Sequence, residues 1–171
     1  MTDTQVNSAR KAGVRAFLPA AAWYAVIFAF SAQTGEESGQ LSGRIVHGSI
    51  GLMGELGALF RTDWDALQLL SFLVRKAAHM GVFFVLTGLL FLGFRKIWTN
   101  RKTSMAAAMA LCAVLAALDE FHQLFVPGRD GKLSDVLIDT CGAVCFLLFS
   151  LALSAIRRAR KKCQDRNIQL R

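Results

Sequence analysis

The sequence lacks the short motifs that identify common soluble enzymes and metal proteins. Its cysteines form no CxxC pair, which argues against a zinc ribbon or a thioredoxin-type site and leaves packing as their expected role. Its histidines form no HExxH zinc-protease motif, and no serine stands in a nucleophile elbow. There is no internal repeat or low-complexity segment. Charge is also scarce, at 19% of 171 residues, so the arrangement of apolar residues carries most of the information. The cysteines are Cys112, Cys141, Cys145 and Cys163.

Apolar residues make up 54% of the chain and are clumped instead of scattered. They form runs at 16–32, 77–94, 104–118 and 136–156, and clumping of this kind predicts membrane spans. The third run is short unless its helix continues through residue 125. The first run resembles a signal peptide but is long and aromatic enough to favour a retained helix. We therefore predict an all-α membrane protein with a four-transmembrane-helix bundle at 16–156, between a basic N-terminal segment (1–15) and a basic tail (157–171).

Lysine and arginine lie mainly beside alternate ends of these runs. Segments 1–15, 95–102 and 157–171 hold three, four and seven of the twenty basic residues, and nine of the twelve acidic residues lie in 33–76 and 119–135. By the positive-inside rule, this bias predicts both termini in the cytoplasm of a multi-pass cell-membrane protein. Basic residues distributed in this way do not favour nucleic-acid binding.

The only sizeable outer segment, 33–76, predicts an interfacial helix on the outer face. Residues 33–38 read as a turn, and 41–60 carry apolar side chains suited to a helix lying on the outer leaflet. Thr62 and Asp65 resemble a capping box, so the second membrane helix is expected to begin near Asp63.

Ionisable residues gather at the outer ends of three predicted membrane helices. Asp119, His122 and Gln123 share a helix face, as do Arg75 and His79 on one neighbouring helix and Asp135 and Asp139 on the other. Glu36, Glu37 and Lys132 instead suit a solvated surface. The candidate ligand-binding residues are Arg75, His79, Asp119, Glu120, His122, Gln123, Arg129, Asp135 and Asp139.

A charged carboxylate in a bilayer is costly, by about 2.5–3.5 kcal/mol at the midplane on insertion scales. The aspartates are therefore expected to form a buried polar network, with Arg129 or Arg75 within about 4 Å of one of them. Ser134 is a possible N-cap of the last helix.

The stretch Asp119-Glu-Phe-His-Gln-Leu-Phe-Val-Pro-Gly-Arg129, followed by Leu133-Ser-Asp-Val-Leu-Ile-Asp-Thr-Cys-Gly142, resembles the signature of the VanZ-like family of bacterial membrane proteins. The segments 31–38 and 75–79 resemble the elements near that family's first two helices. One departure is that Met80-Gly-Val-Phe-Phe84 lacks the glutamate common in relatives. The resemblance covers about residues 20–150. It implies a multi-pass helical fold and an association with lowered susceptibility to the glycopeptide teicoplanin.

Two functions remain open. The first is an envelope protein, not an enzyme and without cofactor or metal, whose outward-facing polar pocket binds a lipid headgroup, a cell-wall precursor or a lipoglycopeptide through arginine. The alternative is a small intramembrane enzyme acting on a lipid-linked substrate. It would use His79 or His122 as the acid–base group, oriented by Asp119 or Asp135. Ser134 is its nearest nucleophile, and a metal version would use His79, His122 and Asp139.

The charge bias gives a direct test of orientation. Single cysteines at Gly39, Gly131, Asn100 and Gln164, placed in a background without native cysteines, should separate by side when intact cells are treated with an impermeant thiol reagent. The first two should react and the last two should not. Labelling at Asn100 with protection at Gly131 would contradict the predicted orientation.

Overall fold

The structure, a computed structural model, describes residues 13–52 and 64–169. Within these residues the chain is helical, with no β-strand. The helices are α1 (Leu18–Ser31), α2 (Gly35–Leu52), α3 (Trp64–Ile97), α4 (Arg101–Gln123) and α5 (Leu133–Gln169).

Four helices are long and apolar enough to cross a membrane, as the apolar runs predicted. They cover Gly13–Ser31, Asp65–Ile97, Arg101–Gln123 and Leu133–Arg166. The third span does continue past its apolar run, ending at Gln123. The chain is therefore an all-α protein with four membrane-spanning candidates.

Several helix ends differ from the predicted ones. Helix α5 extends well beyond residue 156, because the basic tail keeps helical backbone through Gln169. The predicted N-cap at Ser134 is wrong, since α5 already begins at Leu133. The starting point near Asp63, the Thr62 half of the capping box and the part of the interfacial helix at 53–60 lie outside the described residues.

The core lies where α3, α4 and α5 pack together. Phe83, Leu86 and Leu90 of α3 meet a strip of small residues on α4, Ala108, Cys112 and Ala116. Small residues let helix backbones approach closely, which is the main source of packing energy between helices in lipid. Cys112 confirms the expected packing role, whereas Cys141 and Cys145 are exposed on the outside of α5.

Helix α1 is fixed to this core by side chains that reach neighbouring backbones. Trp23 Nε1 donates to the carbonyl of Val82 at 2.9 Å, and the Tyr24 hydroxyl donates to the carbonyl of Leu115 at 3.2 Å. These carbonyls belong to α3 and α4, so α1 is held against both helices.

Helix α2 starts in a turn that is joined to the loop after α4. Thr34 and Glu37 form a capping box: the Glu37 amide donates to Thr34 Oγ1, and Glu37 Oε2 accepts from the Thr34 amide. The Gly35 amide donates to the carbonyl of Pro127 at 3.2 Å. Gly128 has a φ of 72°, a left-handed conformation that favours glycine. The two loops therefore meet beside the outer ends of α1 and α4.

Beyond this turn, α2 packs along the first part of α3. Val46 is buried against Leu67 and Val74 of α3. The predicted interfacial helix therefore has a protein partner along at least one face.

The loop geometry also refines the labelling site chosen between α4 and α5. A side chain at Gly131 would collide with the carbonyl of Glu120 and with Leu124. Asp130, whose side chain is 84% exposed, is a better position for a reporter cysteine on the same loop.

Helices α3 and α5 approach closely at Gly142, where an added Cβ would collide with the backbone of Met80. We expect Gly142→Ala to destabilise the bundle by about 1–3 kcal/mol, the usual cost of overpacking. Gly81→Ala is the matched control, because a Cβ there meets nothing within 4 Å. It should be neutral or slightly stabilising. Unfolding in mixed detergent–SDS micelles measures both, and equal stability of the two variants would contradict the close α3–α5 contact.

Candidate functional site

A buried polar centre lies where α3, α4 and α5 meet at their predicted outer halves. His79, Asp119 and Asp139 contribute one residue from each helix, with one nitrogen or oxygen of each lying within 4.8 Å of the others. Both aspartates have a relative exposure of 0%. His79 Nδ1 lies 3.4 Å from Asp139 Oδ1, an ion-pair distance without the geometry of a well-formed hydrogen bond. The three helix faces predicted from sequence thus converge.

Asp119 is held by two neutral donors at one oxygen. Ser31 Oγ donates to Asp119 Oδ2 at 2.7 Å, and Gln123 Nε2 donates to the same oxygen at 3.0 Å. The other oxygen, Oδ1, is buried without a partner. Asp119 therefore has one buried oxygen, Oδ1, that Ser31 and Gln123 do not bond.

Arg129 reaches the centre through Gln123. Its Nη1 donates to Gln123 Oε1 at 3.3 Å, and its Nε donates to the carbonyl of Gln33 at 3.2 Å. Burial lowers the pKa of Arg129, and the nearby Arg75 guanidinium lowers it further. Arginine nevertheless stays protonated in proteins, so a partly buried positive charge stands above Asp119.

The expected contact of Arg129 or Arg75 with a carboxylate is wrong. Lys76 Nζ instead pairs with Asp135 Oδ1 at 2.5 Å. Arg75, the preceding residue on α3, points to another side of the helix and its Nη2 donates to Ser42 Oγ of α2 at 3.3 Å. Successive helical residues face directions about 100° apart, which is why only one of these two cations can meet α5.

Glu120 has a structural contact at the edge of the centre. Its Oε2 accepts from the Lys132 amide at 3.0 Å, just before α5 begins. A carboxylate at this point also complements the positive end of the α5 dipole. Glu120 therefore ties the end of α4 to the start of α5.

His122 and Ser134 do not join the centre. The His122 ring packs against Phe28 of α1 with centroids 4.2 Å apart, and its Nδ1 is buried without a hydrogen bond. The Ser134 hydroxyl donates to Oδ1 of the neighbouring Asp135 at 3.4 Å. Of the two predicted histidines, His79 is the one that faces a carboxylate.

An apolar cavity of about 270 Å³ opens beside the polar centre, between α1, α2 and α3. Most of its wall is hydrophobic, and Arg75, His79, Ser31 and Arg129 supply polar groups. Arg75 Nε is buried without a hydrogen-bond acceptor. The hydrophobic part of the wall consists of Trp23, Val26, Ile27, Phe30, Leu41, Ile45, Val74, Ala78 and Val82.

The candidate residues taken from the sequence leave out two contributors to this arrangement. Ser31 is part of the segment 31–38 that resembles a family element, and it is 2% exposed and bonds Asp119. Lys76, next to Arg75, is also an available cation at this depth but is not among those candidates. The sequence signal for Ser31 is that it is a polar residue near the end of the first apolar run.

These features define a multi-pass helical membrane protein with a buried polar centre next to an apolar cavity. The family model described as VanZ/LLP1 matches residues 16–154, and the chain belongs to this family. No curated protein and no solved structure matches the chain significantly.

The Ser31–Asp119 hydrogen bond can be measured with a double-mutant cycle. Ser31→Ala, Asp119→Asn and the double variant should give a coupling energy of about 1–2 kcal/mol, because the acceptor is charged and fully buried. The same cycle with Ser134→Ala and Asp135→Asn serves as the control and should give a value near zero. Similar coupling energies in both cycles would contradict the special role of the buried pair.

Proposed function

We propose that this is a VanZ-type protein of the bacterial cell membrane that binds an anionic amphiphile in the cavity between α1, α2 and α3. The observation that carries the proposal is that one cavity combines an apolar wall with two cationic side chains. Its wall is mainly apolar, and two guanidinium groups, Arg75 and Arg129, border it. An apolar pocket with a few convergent polar groups is the usual form of a ligand site.

The two arginines favour a shared anion. Burial lowers the pKa of Arg129 and the Arg75 charge lowers it further, so an anion between the two arginines would replace their repulsion with attraction. Arg75 also has an unpaired buried donor at Nε. Planar guanidinium groups bind phosphate and carboxylate with paired hydrogen bonds.

The ligand class follows from the combination of both parts. A phospholipid, a lipid-linked cell-wall precursor and a lipoglycopeptide share an anionic group and an apolar chain. The predicted N-in, C-in orientation puts Gln33 and Arg129 on the outer side, where each of these molecules is accessible in the envelope. A role in glycopeptide susceptibility would then follow from binding the drug or its lipid-linked target.

The enzyme alternative has one observation in its favour. His79 borders the cavity and lies next to Asp139, which is an arrangement suited to acid–base chemistry. His79 is one of the two predicted acid–base groups, but the carboxylate paired with it is Asp139 instead of the predicted Asp119 or Asp135. Release of a lipid headgroup during incubation with the protein would favour this alternative over simple binding.

Trp23 borders the cavity and can report occupancy by fluorescence. With Trp64 and Trp98 replaced by Phe, the protein is placed in phosphatidylcholine vesicles containing a few per cent brominated phosphatidylglycerol or brominated phosphatidylcholine. The anionic lipid should quench Trp23 more at equal content, because the arginines retain its headgroup. Arg129→Lys should weaken this preference about tenfold, since the charge stays but the planar fork is lost.

Arg44→Lys, at an exposed position on α2, is the matched control and should keep the preference. Teicoplanin should relieve the quenching if the lipoglycopeptide enters the same cavity. Equal quenching by both lipids, or equal effects of the Arg129 and Arg44 variants, would rule out headgroup selection at this site.

A further inference from the structure

Three metal-ligating side chains converge from three different helices. His79 of α3, Asp119 of α4 and Asp139 of α5 each offer one ligand atom, and these atoms lie within 4.8 Å of one another. One imidazole and two carboxylates form a mixed nitrogen and oxygen set that suits first-row divalent cations such as Zn²⁺ and Mn²⁺. The convergence alone would not distinguish a metal site from a buried polar contact.

The second observation is that the carboxylates are buried and incompletely bonded. Asp139 is wholly buried, and neither of its oxygens has a hydrogen-bond partner. Asp119 is equally buried, and its Oδ1 is unpaired. Buried carboxylate oxygens are normally hydrogen-bonded, paired with a cation or bound to a metal.

The hydrogen bonds and ion pairs of the nearby donors do not reach these unpaired oxygens. Lys76 pairs with Asp135, and Arg129 donates to Gln123 and Gln33. Ser31 and Gln123 donate to Asp119, but both bond Oδ2 and leave Oδ1 without a bond. No cationic side chain among the described residues forms a salt bridge with Asp119, and His79 is the one that does so with Asp139.

We propose that His79, Asp119 and Asp139 bind one first-row divalent cation. The ion neutralises two buried carboxylates, and bonds of about 2.1 Å draw the three ligands closer together. Ser31 and Gln123 are the outer groups that orient Asp119 for this role, as hydrogen-bonded partners do at other metal sites. The remaining coordination positions are filled by water or by a group from the cavity, which His79 and Ser31 border.

This ligand set differs from the metal version that sequence spacing suggested. His122 shares a helix face with Asp119 by spacing, but its ring packs on Phe28. Asp119 takes its place because α4 turns that residue toward α3 and α5. The proposal does not depend on anion binding, and metal binding can be measured without any added lipid ligand.

The test uses the full chain in phosphatidylcholine nanodiscs, stripped of metal with EDTA and titrated with Mn²⁺ and Zn²⁺. We expect one ion per chain, by calorimetry and elemental analysis. Asp139→Asn and His79→Gln should each weaken binding by at least about 100-fold, the upper end of the effect of losing an outer-shell partner. Ser31→Ala should weaken it by about 10–100-fold. His122→Gln is the matched control and should bind as the native chain does.

Mn²⁺ adds a readout that a structural role for His79 would not change. The bound ion should show nitrogen hyperfine coupling by pulsed electron paramagnetic resonance, and His79→Gln should abolish this coupling while His122→Gln preserves it. Asp139→Asn removes a buried carboxylate whose oxygens have no hydrogen-bond partner, so its metal-free form should still fold to the helical state of the native chain, which circular dichroism checks. No stoichiometric binding by the native chain, or loss of binding with His122→Gln, would overturn the proposal. A failure of lipid selection with metal binding intact would reject only the proposed function.

Discussion

Two carboxylates, those of Asp119 and Asp139, are enclosed where three helices meet, and the surrounding structure must compensate for their removal from water. In a low-dielectric interior an unpaired carboxylate is costly. Ser31 and Gln123 supply donors to Asp119, and His79 lies against Asp139. Because Ser31 is the last residue of α1, its hydrogen bond to Asp119 fixes the end of this helix against α4.

The polar centre depends in turn on close packing below it. Short side chains such as aspartate can meet from three helices only if the helix axes are near one another. The alanine and cysteine strip of α4 and the contact of Gly142 with Met80 provide that proximity. The small residues and the buried carboxylates therefore depend on the same close packing of the helices, because neither arrangement is possible if the helices move apart.

The sequence predicted the four spans and the convergence of three helix faces, because apolar runs and i, i+4 spacing report backbone position directly. It did not predict which side chains would bond. Arg75 and Lys76 are adjacent and both cationic, and only helix rotation decides that Lys76 meets Asp135. His122 lies on the same helix face as Asp119 by spacing, but its ring packs against an aromatic residue of α1. Such outcomes depend on contacts between distant segments, which spacing within one helix does not encode.

The unbroken backbone of α5 sets how far each charge of its basic end lies from the last apolar run. Residues 157–169 continue the helix beyond the last apolar run and would reach about 20 Å at 1.5 Å per residue. The Debye length at physiological ionic strength is about 8 Å. If the bilayer surface lies where the apolar run ends, at residue 156, Arg157 would lie within one Debye length of that surface and Arg166 would lie beyond it. In that arrangement, one continuous helix would divide its positive charge between the lipid surface and the surrounding electrolyte.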